Sequence, residues 1–165
     1  MTNLSRIIKQ APYAIVGGVA TRLYMPERMT LDLDILVKAE DAKLVYQDLV
    51  NSNSHKIGDL SIPGSQWELA DGTSLDVLEG TASWVATAIQ NPNYAPDGSP
   101  VIDLNYLILM KLIAGRSQDL ADVSRMLGGA TDLQLYQIKE LIVQFLPSSV
   151  EDLESLIMLG KLELQ

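Results

Sequence analysis

Thr30 to Val37, TLDLDILV, constrains this chain more than any other stretch. Leu31, Leu33, Ile35 and Val37 fall on one side of an extended backbone and Asp32, Asp34 and Leu36 on the other, which is the two-residue period of a β-strand. The two aspartates therefore share a face. A carboxylate inside an apolar run is costly to bury alone, so these charges need water, a partner or a cation. Just upstream, YAIVGG reads as a short strand broken by Gly17-Gly18, and VATRLYM carries apolar positions at helical spacing before Pro26. A strand, a glycine pair and a helix start can bring backbone N–H groups and the positive end of a helix up to a phosphate. The same pair also serves a plain tight turn.

The rest of the chain supplies layers around that strand. EDAKLVYQDLVNS predicts a covering helix with Leu44, Val45, Leu49 and Val50 on its apolar stripe. SQWELA and TSLDVLEG flank Asp71-Gly72, a pair favoured in type I′ turns, and predict an antiparallel hairpin. In its second strand Leu75, Val77 and Glu79 face one way, and Ser74, Asp76 and Leu78 the other. SWVATAIQ reads as a short helix, and NPNYAPDGSP as a loop and the best linker candidate. From Asp103 onward four helical patterns follow, punctuated by Gly115, Gly128-Gly129 and Pro147, with Asp103, Ser117, Thr131 and Ser148 or Ser149 as N-caps. The expectation is an α/β core over residues 1–98 and a helical segment over 99–165 packed on it as a single compact domain.

Composition narrows the function classes. With 165 residues, 47% of them apolar and 20% charged, the chain can build a real core. It has no cysteine, which excludes disulfides and thiolate metal sites. YLILMKLIAG, the longest apolar stretch, is too short for a bilayer and contains Lys111. No signal-peptide pattern opens the sequence, so a cytoplasmic location is expected. A net charge of −9 gives no broad electrostatic footprint for DNA or RNA. One cleft with a divalent ion and a few arginines can still reverse that sign locally for a nucleotide or a docked RNA.

Two carboxylates side by side repel, and sharing a hard cation such as Mg²⁺ relieves the repulsion. Asp76, on an antiparallel strand placed beside the first, would add a third oxygen ligand able to accept the proton of an attacking hydroxyl. The plainer alternative is a pair of solvated aspartates on the wet face of a sheet.

Gly17-Gly18, thirteen intervening residues and Asp32-Leu33-Asp34-Ile35, followed by Asp76 in SLDVL, resemble the signature of the DNA polymerase β-like nucleotidyltransferase superfamily. More narrowly, VGGVATRLY, then Arg28-Met29-Thr30-Leu31-Asp32-Leu33-Asp34, then LILMKLIAGRSQDLADVSRML resemble the AbiEii-type nucleotidyltransferase-like proteins, which include toxin components of toxin–antitoxin and phage-defence systems. The resemblance runs from about Tyr13 to Leu127. It implies an α+β fold, a nucleotidyltransferase-like mixed sheet with flanking helices and a C-terminal helical segment. It implies Asp32, Asp34 and Asp76 as catalytic carboxylates on Mg²⁺, with Gly17, Gly18, Thr30, Arg22, Arg28, Lys111 and Arg116 toward the NTP. Asp119 and Asp122 would orient the cations. The implied reaction moves an NMP from an NTP to an acceptor hydroxyl with release of pyrophosphate. The acceptor is unknown, with RNA and protein both open, and an antitoxin protein is an implied partner. The alternative is a catalytically inactive relative that binds nucleotide or protein. Two departures stand out: a second glycine where many active relatives have serine, and Gln118 where relatives often have lysine.

Local readings compete at the helper positions. Arg116 and Asp119 have the i, i+3 spacing of a surface ion pair, and Lys111, in a very apolar helix, can snorkel to water. Arg22 and Arg28 could neutralise either phosphate or the aspartates themselves. His55, near a strand start, has no obvious metal partner in sequence. Trp67 and Trp84 read as core or rim, and packing within the helical half accounts for the stripe in LQLYQIKELIVQFL.

Overall fold

In a computed structural model that describes residues 2–26, 28–30 and 32–165, alternation along the strands places a polar row on one face of a mixed sheet. The chain divides into two compact units, one made of the N-terminal residues up to Ala20 and Met29–Ile102, the other of Thr21–Arg28 and Asp103–Gln165. It crosses between them inside helix α1 (Gly17–Tyr24).

The first unit is built on β1 (Ala14–Val16), β2 (Leu33–Lys38), β3 (His55–Asp59), β4 (Gly64–Glu68), β5 (Ser74–Gly80), β6 (Asn93–Tyr94) and β7 (Pro100–Val101), in the order β3-β4-β5-β2-β1-β7-β6. The hairpin of β4 and β5 is antiparallel as expected, but β5 runs parallel to β2, not antiparallel. The connection through α2 (Ala42–Asn51), β3 and β4 returns the chain in the same direction, as parallel pairing requires. The turn also differs. Gly72 donates its N–H to the Leu69 carbonyl, so Ala70 and Asp71 occupy the turn's centre and Gly72 follows it.

Leu33, Ile35 and Val37 of β2 and Leu75 and Val77 of β5 are buried on one face. There Trp67 stacks on Tyr46 of α2, with ring centroids 5.4 Å apart, and donates its indole N–H to Ser65 Oγ at 2.9 Å. Trp67 is thus core. Leu31, assigned to this side by alternation, lies outside the described residues. The stripe of α2 is Ala42, Val45, Asp48 and Leu49; Leu44 and Val50 face solvent, so the helix is rotated from its sequence-based orientation. Asp48 earns its burial by accepting the Lys9 and Gln10 backbone N–H groups at 2.7 and 2.9 Å and the Gln10 amide at 2.9 Å. The segment expected to be a loop and linker instead holds β6 and β7, and β7 pairs with β1 at Ile15 and Val101. Backbone pairing overrides the turn-rich composition there.

The second unit packs α4 (Leu104–Ala114), α5 (Ser117–Gly128), α6 (Asp132–Phe145) and α7 (Val150–Glu163), close to the four patterns read from sequence. Thr131 caps α6 reciprocally with Gln134. At α5 the cap position falls on Arg116, not Ser117, because the Arg116 N–H finds Asp119 Oδ2 at 3.2 Å. Between α5 and α7 the backbones nearly touch. A Cβ on Gly160 would stand 2.0 Å from the Ser124 carbonyl oxygen, and one on Gly128 2.4 Å from that of Gly160. Among the described residues no helix is long and apolar enough to cross a membrane.

Candidate functional site

The glycine pair does more than turn the chain. Val16 ends β1 and Gly17 begins α1 with no residue between them, at φ +65°, a conformation open to glycine. A Cβ on Gly17 would fall 2.3 Å from Asp34 Oδ2, and one on Gly18 2.8 Å from Thr30 Cγ2. Each glycine therefore admits a specific neighbour that any side chain would displace.

Register then fixes the carboxylates. Asp34 is the partner of Asp76 across the parallel β2–β5 ladder, and Asp76 is the partner of Gln66 across the antiparallel β4–β5 ladder. Directly opposed residues project from the same face, so Asp34, Asp76 and Gln66 form one row. Asp32, expected on the strand, precedes it: β2 starts at Leu33, Asp32 is exposed, and its N–H donates to Thr30 Oγ1 at 3.3 Å.

Asp76 Oδ1 is buried and, among the described residues, has no hydrogen-bond partner. Burial raises the Asp76 pKa above the ordinary carboxylate range, the nearby charge of Asp32 adds to the rise, and the Gln66 side chain opposes it. An orphaned carboxylate oxygen beside another acidic group has the hard-oxygen chemistry that suits Mg²⁺. The donor types fit such an ion. Among the described residues no three His, Cys, Asp or Glu side chains stand close enough to hold a metal. Asp32 sits one residue ahead of β2.

The cations read from the helical motif belong to the second unit. Lys111 is only 7% exposed; instead of snorkelling, its Nζ lies 3.0 Å from Asp122 Oδ2 and 3.6 Å from Asp119 Oδ1. Asp122 also accepts Arg28 Nε at 3.4 Å and the Gln118 amide at 3.0 Å. Gln118 thus joins the network at the departure from the family pattern. Arg116 reaches Asp119 through Nε at 2.7 Å and Nη2 at 3.3 Å, but the pair is not the surface one considered from sequence, because Asp119 is buried while the arginine side chain is 78% exposed. Burial alone would raise the Asp119 pKa; the Arg116 hydrogen bonds and charge and the Lys111 charge outweigh it and hold the carboxyl below its usual value. Arg22 is exposed on α1.

Sequence reasoning passed over Gln66. Extending the hairpin alternation from Asp71-Gly72 outward pairs Gln66 with Asp76, and that signal was present in SQWELA. His55 begins β3, exposed and opposite Glu68.

No protein-family model and no curated protein matches the sequence. Solved structures do match. ANT(2'')-Ia in complex with adenylyl-2''-tobramycin is 16% identical, with 91% of this chain and 88% of that one covered and a TM-score of 0.50. A candidate nucleotidyltransferase from Thermotoga maritima is 14% identical, covering 74% and 85% at a TM-score of 0.50. At such identities the likeness is one of architecture, and this α+β chain, a mixed seven-stranded sheet with helices, has the nucleotidyltransferase fold.

Proposed function

We propose that this chain is a Mg²⁺-dependent nucleotidyltransferase that moves a nucleoside monophosphate from an NTP to an acceptor hydroxyl. The observation that carries the reading is the row of Asp34 and Asp76 on one sheet face, with Asp76 Oδ1 buried and unpartnered and Gly17 pressed against Asp34. Magnesium, when bound, would neutralise charge on the triphosphate and on the carboxylates that hold it. Asp34 and Asp76, opposite each other on β2 and β5, are its proposed ligands, with Asp32 drawn in from its exposed position ahead of β2. The glycine pair, with Thr30, offers the close backbone approach that a phosphate needs. Asp76 takes the acceptor's proton, the acceptor oxygen bonds the α-phosphorus, the α–β anhydride bond breaks, and pyrophosphate leaves. Arg22, Arg28, Lys111 and Arg116 are proposed helpers, with Asp119 and Asp122 orienting the cations.

The likeness to ANT(2'')-Ia, whose structure holds adenylyl-2''-tobramycin, supports the general reaction. The AbiEii-type motifs support the finer reading of a cytoplasmic toxin–antitoxin or phage-defence component that acts on an RNA or protein acceptor and has an antitoxin partner. A second reading, an inactive module that binds nucleotide or protein, is favoured by the dispersed position of Asp32. Thermal shift with each NTP, with and without Mg²⁺, on the native chain and on Asp34→Asn tests the transferase reading. Transferase chemistry requires a metal-dependent stabilisation that Asp34→Asn loses; no response to any NTP sinks it.

A further inference from the structure

Helix α6 carries two seams. Leu135, Ile138, Leu141 and Ile142 pack into its own unit, as the sequence stripe predicts. Leu133, Tyr136 and Val143 lie outside that packing, 66%, 61% and 55% exposed. Together with Gln137, Glu140 and Gln144 they recur at helical spacing along one side of α6, a strip of about 16 Å at 1.5 Å per residue. Beside it, the start of α4 supplies Asp103 and Asn105, and the two helices bound a groove of about 460 Å³.

Apolar knobs three and seven residues apart on one helix face are what a second helix packs against. The groove's charged lining residues are Asp103 and Glu140, both acidic, and the chain as a whole carries −9. A phosphate backbone is therefore repelled, and an acidic partner too. We infer that the α4–α6 groove docks an amphipathic helix of a partner protein, one with an apolar stripe bordered by lysine or arginine. Its apolar stripe covers Tyr136 and Val143, and its cations meet Glu140 and Asp103. The amides of Gln137 and Gln144 remain along the wet rim, where water or the partner satisfies them.

The test uses a fluorescein-labelled 18-residue leucine–lysine amphipathic helix and the full chain, read by anisotropy at physiological salt. The expected result is saturable one-to-one binding, weakened at least tenfold by Glu140→Lys and by Tyr136→Ser. Glu163→Lys, the same charge change in the last turn of α7, should alter affinity less than twofold. Circular dichroism melts confirm that each variant is folded; a misfolded Tyr136→Ser leaves Glu140→Lys and Gln144→Lys to decide the matter. No saturable binding overturns the proposal. So does equal weakening by Glu163→Lys, which would make the attraction bulk charge only. Sedimentation showing a native dimer that Tyr136→Ser dissociates would assign the face to a second copy of this chain and overturn it too.

Discussion

Gly17 lies so close to Asp34 that a methyl group on the glycine would sit 2.3 Å from the Asp34 carboxylate. Gly17→Ala therefore displaces Asp34 as well as forcing alanine into φ +65°, a conformation that costs about 1–2 kcal/mol. The expected outcome is a modest loss of stability but complete loss of metal-dependent NTP stabilisation. Thermal shift with and without Mg²⁺-NTP reads both, and a variant that keeps full nucleotide stabilisation would separate the glycine from the site.

Gly160→Ala probes the seam of α5 and α7. Its new methyl would stand 2.0 Å from the Ser124 carbonyl oxygen, and backbone at that distance cannot rotate away, so the helices must separate. Overpacking of this kind costs about 1–3 kcal/mol or more. Urea unfolding should show the loss, whereas Gly98→Ala, whose Cβ meets nothing within 4 Å, pays only for its left-handed backbone.

Within the Lys111 network the cost of a deletion follows the burial of what it strands: without Asp122 the buried Lys111 keeps only Asp119, 3.6 Å away. Asp122, 1% exposed, takes hydrogen bonds from Arg28, Lys111 and Gln118, so Asp122→Ala should cost about 3–5 kcal/mol. Arg116→Ala leaves Asp119 with Lys111 and should cost less, because the arginine side chain is largely solvated. Chemical denaturation of the pair checks the order; an Asp122→Ala variant as stable as the native chain would show the network to be dispensable for folding.

Asp48 sets an acid limit on stability. Burial pushes its pKa up, but the Lys9 and Gln10 N–H groups and the Gln10 amide outweigh that and hold it below the ordinary value. A carboxylate with a depressed folded pKa stabilises the fold above its unfolded value, about pH 4, and loses that contribution as pH falls through the folded value. Asp48→Asn should cost about 1–3 kcal/mol at neutral pH and flatten the acid limb of the stability profile. Melting temperatures of both proteins between pH 2 and pH 7, on the order of ten points, would show it; parallel curves would refute the assignment.

Legibility of the sequence followed the range of the interactions. Strand alternation at Leu33–Val37 and Leu75–Val77 and the spacing of the four C-terminal helices depend on each element's own residues, so they were readable. The parallel pairing of Asp34 with Asp76 is a contact between distant segments, which no local period encodes. Residues 91–100 read as loop because proline and glycine dominate them, yet one edge of β1 was unpaired and accepted the strand that begins at Pro100. The motif named Asp119 and Asp122 as partners of the cations, but helix period alone left Lys111 snorkelling, because those carboxylates lie on the next helix. The Asp-x-Asp spacing correctly marked a polar face but placed Asp32 on a strand that begins one residue later.

The strand before the glycine turn is hydrogen-bonded on its two sides by β2 and by β7, whose partner residues are Ile35 and Val101 opposite Ile15. During synthesis the first neighbour follows almost at once, but the second emerges only after β3, β4, β5 and α3 (Val85–Gln90) have been made. Until residue 101 leaves the ribosome, the β1 edge that adjoins the proposed phosphate turn is an open row of backbone donors and acceptors, the kind of edge that recruits stray strands. The late, two-residue β7 acts as a closing stitch: truncation before Pro100 should leave a sheet prone to aggregate, while truncation within α7 should spare this edge.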